Sequence, residues 1–172
     1  MKTLQIIFVI ALLALTAGIG TRMFNQWQLE QQPMPLPTFS FPDLNGAAQN
    51  VTQWQGKIIV VNFWATWCPS CLKEIPAFMK LQTQYGEKVQ FVGIALDDVE
   101  AVKTFQEKTA VNYPLLISGD FEGFQLAKKL GNIISAIPYT VVTNREGIVV
   151  YRHSGELSAT ELETVLNPLL TN

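Results

Sequence analysis

Cys68 and Cys71 are the two cysteines of the chain, and they stand three positions apart in Trp67-Cys68-Pro69-Ser70-Cys71. That spacing is close to the shortest loop that two thiols can close into a disulfide and later reopen, so the chemistry on offer is reversible thiol–disulfide exchange. Ahead of the pair, Ile58-Ile59-Val60-Val61-Asn62-Phe63-Trp64 is apolar and β-branched and reads as a buried strand. Behind it, Leu72, Ile75, Phe78, Met79 and Tyr85 recur at helical spacing. The dithiol therefore falls where a strand meets the N-terminus of a helix. Unpaired N–H groups and the helix dipole at such a place favour a thiolate and lower the cysteine pKa.

Other uses of the pair fit less well. A structural metal site needs about four ligands, and the chain offers two cysteines and a single histidine, His153. His153 reads instead as a satisfied surface or strand residue, with no partner evident in its sequence neighbourhood. A static cross-link over so short a loop adds little stability. Haem attachment requires His directly after the second cysteine, where Leu72 stands.

The elements that must hold this site can be read along the 172 residues. A nearly uninterrupted apolar run covers Leu4 to Gly20, about 25 Å of helix against a hydrocarbon core of roughly 30 Å. Residues 1–21 are expected to be a signal anchor, a single N-terminal hydrophobic helix, with a cleaved signal peptide as the alternative. No cysteine follows the run, so lipoprotein processing is excluded. The α-amino group and Lys2 before the run, against Arg22 after it, are expected to put the N-terminus in the cytoplasm and the body outside, where disulfides persist. Residues 22–37 read as a polar, Pro-rich linker stiffened by Pro33, Pro35 and Pro37, and residues 38–172 as one domain. The net charge of −2 gives no case for a nucleic-acid partner.

Within that domain the expected order is a short irregular stretch with a turn at Asn45-Gly46, the strand Ile58–Trp64, a helix to Tyr85 and a strand from Val89 to Leu96. A helix capped by Asp98, a short apolar piece at Leu115–Ile117 and a helix from Phe121 to Leu130 follow. Thr140–Thr143 and Ile148–His153 flank a hairpin turn at Asn144-Arg145-Glu146-Gly147. Ser158 with Glu161 forms a capping box for a last helix to Leu170. This alternation predicts an α/β fold with a mixed, mostly parallel sheet covered on both faces.

Phe63-Trp64-Ala65-Thr66-Trp67-Cys68-Pro69-Ser70-Cys71 resembles the active-site segment of the thioredoxin superfamily. The Pro-rich entry, Gln55-Gly56-Lys57 and the Ala65-Thr66-Trp67 lead-in resemble the membrane-anchored TlpA/ResA-type thiol–disulfide reductases. Pro76, five residues after Cys71, and Ile137-Pro138, opening a late strand, complete the pattern. The resemblance implies a thioredoxin-like three-layer α/β/α sandwich with a mixed central sheet, and a protein-disulfide reductase with no cofactor beyond its redox-active disulfide and no metal. Cys68 at the helix N-cap is then the nucleophile and Cys71, a turn inside, the resolving thiol. Pro138 matches the family's cis-proline and, with Trp67 and Ile137, is expected to receive substrate. Glu74 matches an acidic residue of ResA-type reductases that accepts a proton or modulates pKa, the plain alternative being a solvated helix-face glutamate. Asn62 stands where thioredoxin carries a buried Asp, and an amide cannot take a proton.

Expected partners are oxidised substrate proteins, a membrane electron donor of the DsbD/CcdA kind and the membrane itself through the N-terminal helix. The expected location is the bacterial cytoplasmic (inner) membrane, single-pass, with the thioredoxin domain on the periplasmic side. Ser70 cannot stabilise a thiolate as a His in the loop does, so a potential near roughly −270 mV is expected rather than the roughly −120 mV of a strong oxidant. One alternative is a cytochrome c maturation thioredoxin of the CcmG/DsbE type, reducing apocytochrome c. Tyr151-Arg152-His153-Ser154-Gly155 resembles that subfamily, but Ala136-Ile137-Pro138-Tyr139 lacks the Glu that follows its cis-proline. An alternative of another class is a non-catalytic binding module or metallochaperone, resting on the lone His153.

Overall fold

The computed structural model describes residues 34–171 together with Gly18, Gly20 and Thr21. Most of the expected anchor and most of the expected linker lie outside the described residues. Residues 34–171 form eight strands and four α-helices, in the order β1 (Met34–Pro35), β2 (Ser40–Pro42), β3 (Ala48–Asn50), a 3-10 turn (Val51–Trp54), β4 (Ile58–Trp64), α1 (Pro69–Tyr85), β5 (Val89–Ala95), α2 (Val99–Thr109), β6 (Leu115–Ile117), α3 (Gly119–Lys129), β7 (Tyr139–Thr143), β8 (Ile148–Ser154) and α4 (Ala159–Leu170).

The fold is organised around β4, every residue of which is buried. An apolar strand of this kind is stable only with both faces covered. Ile58, Val60 and Trp64 face one core, with Ile75, Phe78 and Leu81 of α1, Val102 of α2 and Leu162 and Leu166 of α4. Ile59, Val61 and Phe63 face the other, with Leu126, Ala127 and Leu130 around α3 and Phe39, Phe41, Val51 and Trp54 of the N-terminal hairpin region. Each fully buried Val, Ile or Phe side chain stabilises the fold by roughly 1.5–3 kcal/mol. These are the three layers of a thioredoxin-like α/β/α sandwich.

The six-stranded sheet has the order β1-β8-β7-β4-β5-β6. β4 pairs parallel with β5, and β5 with β6. β7 pairs antiparallel with β4, β8 with β7, and β1 with β8. The sheet is therefore mixed but not mostly parallel. Alternation of strand and helix gives parallel pairs only over β4–β6. Ile117 ends β6 level with Ala95 and Trp64, and Tyr139 opens β7 opposite Phe63. The β6–β7 connection thus returns to the end of the sheet it left, and the β7–β8 hairpin continues antiparallel. Met34 and Pro35, expected in the linker, are paired with Val149 and Ile148, and Leu36 N donates to Gly147 O at 2.8 Å. Proline is tolerated there because β1 is an edge strand.

Candidate active site

β4 ends at Trp64, and the chain turns through Ala65–Trp67 into α1. Leu96 N donates to Trp64 O at 2.8 Å and Cys68 N to Ala65 O at 3.2 Å. Cys68 is the N-cap of α1 with extended backbone, φ −98° and ψ 102°, and Pro69 follows in the first turn, where its missing N–H costs nothing. The Cys68 Sγ accepts from Cys71 N at 3.3 Å, and Ser70 Oγ lies 3.5 Å from it. Cys68 and Cys71 are joined as a disulfide with Cα atoms 5.3 Å apart. Both are buried, Cys71 completely and Cys68 to 4% exposure, while the adjoining Trp67 is 62% exposed.

Glu74 lies within α1 and is buried to 2% exposure, so the solvated helix-face alternative does not hold. Its Oε1 accepts from Asn62 Nδ2 at 2.7 Å and its Oε2 from Leu157 N at 3.0 Å. Burial pushes its pKa from the usual carboxylate range up to about 7, against the lowering effect of those two hydrogen bonds and with a small further push from Glu156. Asn62 Nδ2 also reaches Thr140 Oγ1 at 3.1 Å, the residue opposite it in the β4–β7 ladder. Its Oδ1 is buried and has no hydrogen-bond partner among the described residues.

The Ile137–Pro138 peptide is cis. Phe63 pairs with Tyr139, so the residue before Tyr139 falls level with the end of β4, at the same end of the sheet as the dithiol. Ile137 is half-buried and packs against both cores. Pro138 O accepts from Gly155 N at 2.8 Å. The segment between β8 and α4 thus holds Pro138 through Gly155 and Glu74 through Leu157. Gly155 adopts φ +99°, a conformation that favours glycine.

His153 does have partners. Tyr151 Oη lies 3.3 Å from Nδ1, Glu156 O lies 3.2 Å from Nε2, and the Tyr151 ring stacks on it. Among the described residues no group of three or more His, Cys, Asp or Glu is placed to hold a metal.

The sequence reading missed three contributors. Asn62 is a donor to Glu74 and not merely an inert replacement for a base; its signal was a lone polar residue in an apolar strand. Leu157 contributes only its backbone N–H, which no side-chain pattern encodes. Asp97 accepts from Thr66 N at 2.9 Å and Thr66 Oγ1 at 2.5 Å, behind the turn into Cys68, and nothing in its neighbourhood advertised this.

Comparison with known proteins gives concordant matches. Residues 31–167 match the Redoxin family. The thiol-disulfide oxidoreductase ResA of Bacillus cereus is 29% identical, over 98% of this chain and 99% of that one. The thioredoxin-like protein YneN of Bacillus subtilis is 28% identical, over 92% of this chain and 94% of its own length. Among solved structures, a thiol:disulfide interchange protein of the thioredoxin family from Chlorobium tepidum superposes with a TM-score of 0.70 at 29% identity, covering 81% of this chain and 97% of that one.

Proposed function

Because the chain belongs to the Redoxin family and shares thiol–disulfide oxidoreductase relatives over nearly its whole length, we propose that it is a protein-disulfide reductase working outside the cytoplasm. The observation that carries this reading is the Cys68 Sγ held at the N-cap of α1, accepting from Cys71 N at 3.3 Å. That position stabilises negative charge on Cys68 as it attacks and as it leaves.

In the reduced protein the Cys68 thiolate attacks one sulfur of a client disulfide and expels the other as a thiolate, forming a mixed disulfide. Cys71 then gives its proton to the Glu74 carboxylate and attacks the Cys68 Sγ, releasing the second client sulfur. Glu74 then gives up that proton, and solvent supplies the second, which Cys68 lost on ionising, so the client gains two electrons and two protons and the protein is left with its Cys68–Cys71 disulfide. Trp67, exposed beside Cys68, and the Ile137–Pro138 peptide receive the client chain. Re-reduction calls for a dithiol donor in the membrane, of the DsbD/CcdA kind, which suits the apolar run of residues 4–20 as an anchor.

The midpoint potential in thiol redox buffers tests the direction. A value near roughly −270 mV supports a reductase, and one near roughly −120 mV would make the protein an oxidase instead.

A further inference from the structure

Beyond the end of β5, the Asp97 carboxylate reaches back to the turn that precedes Cys68. Its Oδ2 accepts from Thr66 N at 2.9 Å and from Thr66 Oγ1 at 2.5 Å. Its Oδ1 accepts from Asp98 N at 2.9 Å. The backbone bonds described above fix the two ends of the turn, at Trp64 and Cys68. Between them Thr66 has left the ladder, since β4 ends at Trp64, and its N–H is satisfied by this side chain. A carboxylate is well matched to this position because it accepts a backbone N–H and a hydroxyl together, and such charge-assisted bonds are about twice as strong as neutral ones.

We propose that Asp97 is a positioning residue for the dithiol, acting through Thr66 to fix where Cys68 and Trp67 stand. The proposal rests on the reductase reading and deepens it. Cys71 is placed by α1, within which it lies directly after Ser70 in the first turn. Cys68, at the helix boundary, is placed by the turn that leads into it. Loosening that turn lowers the effective concentration of one thiol at the other, which disfavours closure of the disulfide. It also lets Trp67, the exposed residue between Thr66 and Cys68, wander from the orientation in which it meets a client.

The test compares D97A, D97N and T66V with the wild type in the full-length protein, by midpoint potential, by kcat/KM for insulin reduction and by urea unfolding of the oxidised form. D97A is expected to lower the closure equilibrium constant about tenfold, making the potential about 30 mV less negative, and to lower kcat/KM by about tenfold. D97N keeps one acceptor oxygen and T66V keeps the backbone N–H, so each is expected to show a smaller change in the same direction, about threefold. A purely structural carboxylate would shift the urea midpoint and leave the potential where it was, and that result overturns the proposal. Should D97A fail to fold, D97N and T66V decide by the same criterion. A wild type that cannot reduce insulin overturns the reductase reading and this proposal with it, whereas an active wild type with unmoved variants overturns the role of Asp97 alone.

Discussion

Asn62 interrupts an otherwise apolar strand, and the interruption lies against Glu74, a buried carboxylate. Glu74 keeps a raised pKa because both of its hydrogen-bond partners are neutral donors, and two such bonds do not offset the loss of water around a charge. Stability depends on pH as a result. The folded protein holds the Glu74 proton up to about pH 7, the unfolded chain only to about 4.5, so the folded state binds more protons between those values. Its contribution is fully present below about pH 4.5 and is lost as the pH rises through 7, a change on the order of 3 kcal/mol. Glu74→Gln can keep both contacts if the Asn62 amide turns over, and it does not titrate. Urea unfolding of the oxidised protein between pH 4 and 8 is therefore expected to show a fall in stability that E74Q lacks; parallel profiles would show that Glu74 is not the titrating group. The position of Glu74 was legible from its distance along α1, but its burial was not. Burial depends on Asn62, Thr140 and Leu157, which meet only when three distant segments come together.

Element boundaries were legible wherever local chemistry sets them. Asp98 caps α2 by accepting from Ala101 N at 2.9 Å. Ser158 and Glu161 form the expected capping box on α4, with Glu161 N donating to Ser158 Oγ at 3.3 Å and Ser158 N donating to Glu161 Oε2 at 3.0 Å. Removing the Ser158 hydroxyl orphans an N–H at the start of α4, so Ser158→Ala is expected to cost about 1 kcal/mol in urea unfolding. A change indistinguishable from zero would mean that water replaces the cap freely. Two elements resisted reading for physical reasons. β1 looked like linker because its proline suppresses strand character, yet an edge strand needs partners on one side alone. The direction of β7 is not encoded in β7 itself: its five buried residues would suit either orientation against β4, and it runs antiparallel because the chain re-enters at the end of the sheet where β6 stops.

At the scale of the whole molecule, the cysteine pair and the buried carboxylate at the start of α1 and the cis-proline just ahead of β7 are brought to one end of a sheet packed between two cores, with the segment after β8 bonded to Pro138 and Glu74. The dithiol's identity was legible in the sequence because the strand, the Trp-Cys-Pro-Ser-Cys segment and the helix are contiguous. The Asp97 grip on Thr66 was not, because it is created by the β4–β5 pairing. In the function proposed above, the assembly divides one exchange between two unequal sulfurs, Cys68 attacking and Cys71 resolving. That division is tested most directly by incubating the full-length Cys71→Ala variant, reduced, with an oxidised protein substrate, then resolving the products without reductant and locating the linkage by mass spectrometry. The division of roles predicts that a mixed disulfide through Cys68 accumulates, and that Cys68→Ala with Cys71 intact captures little. Capture through Cys71, or none by either variant, would contradict it.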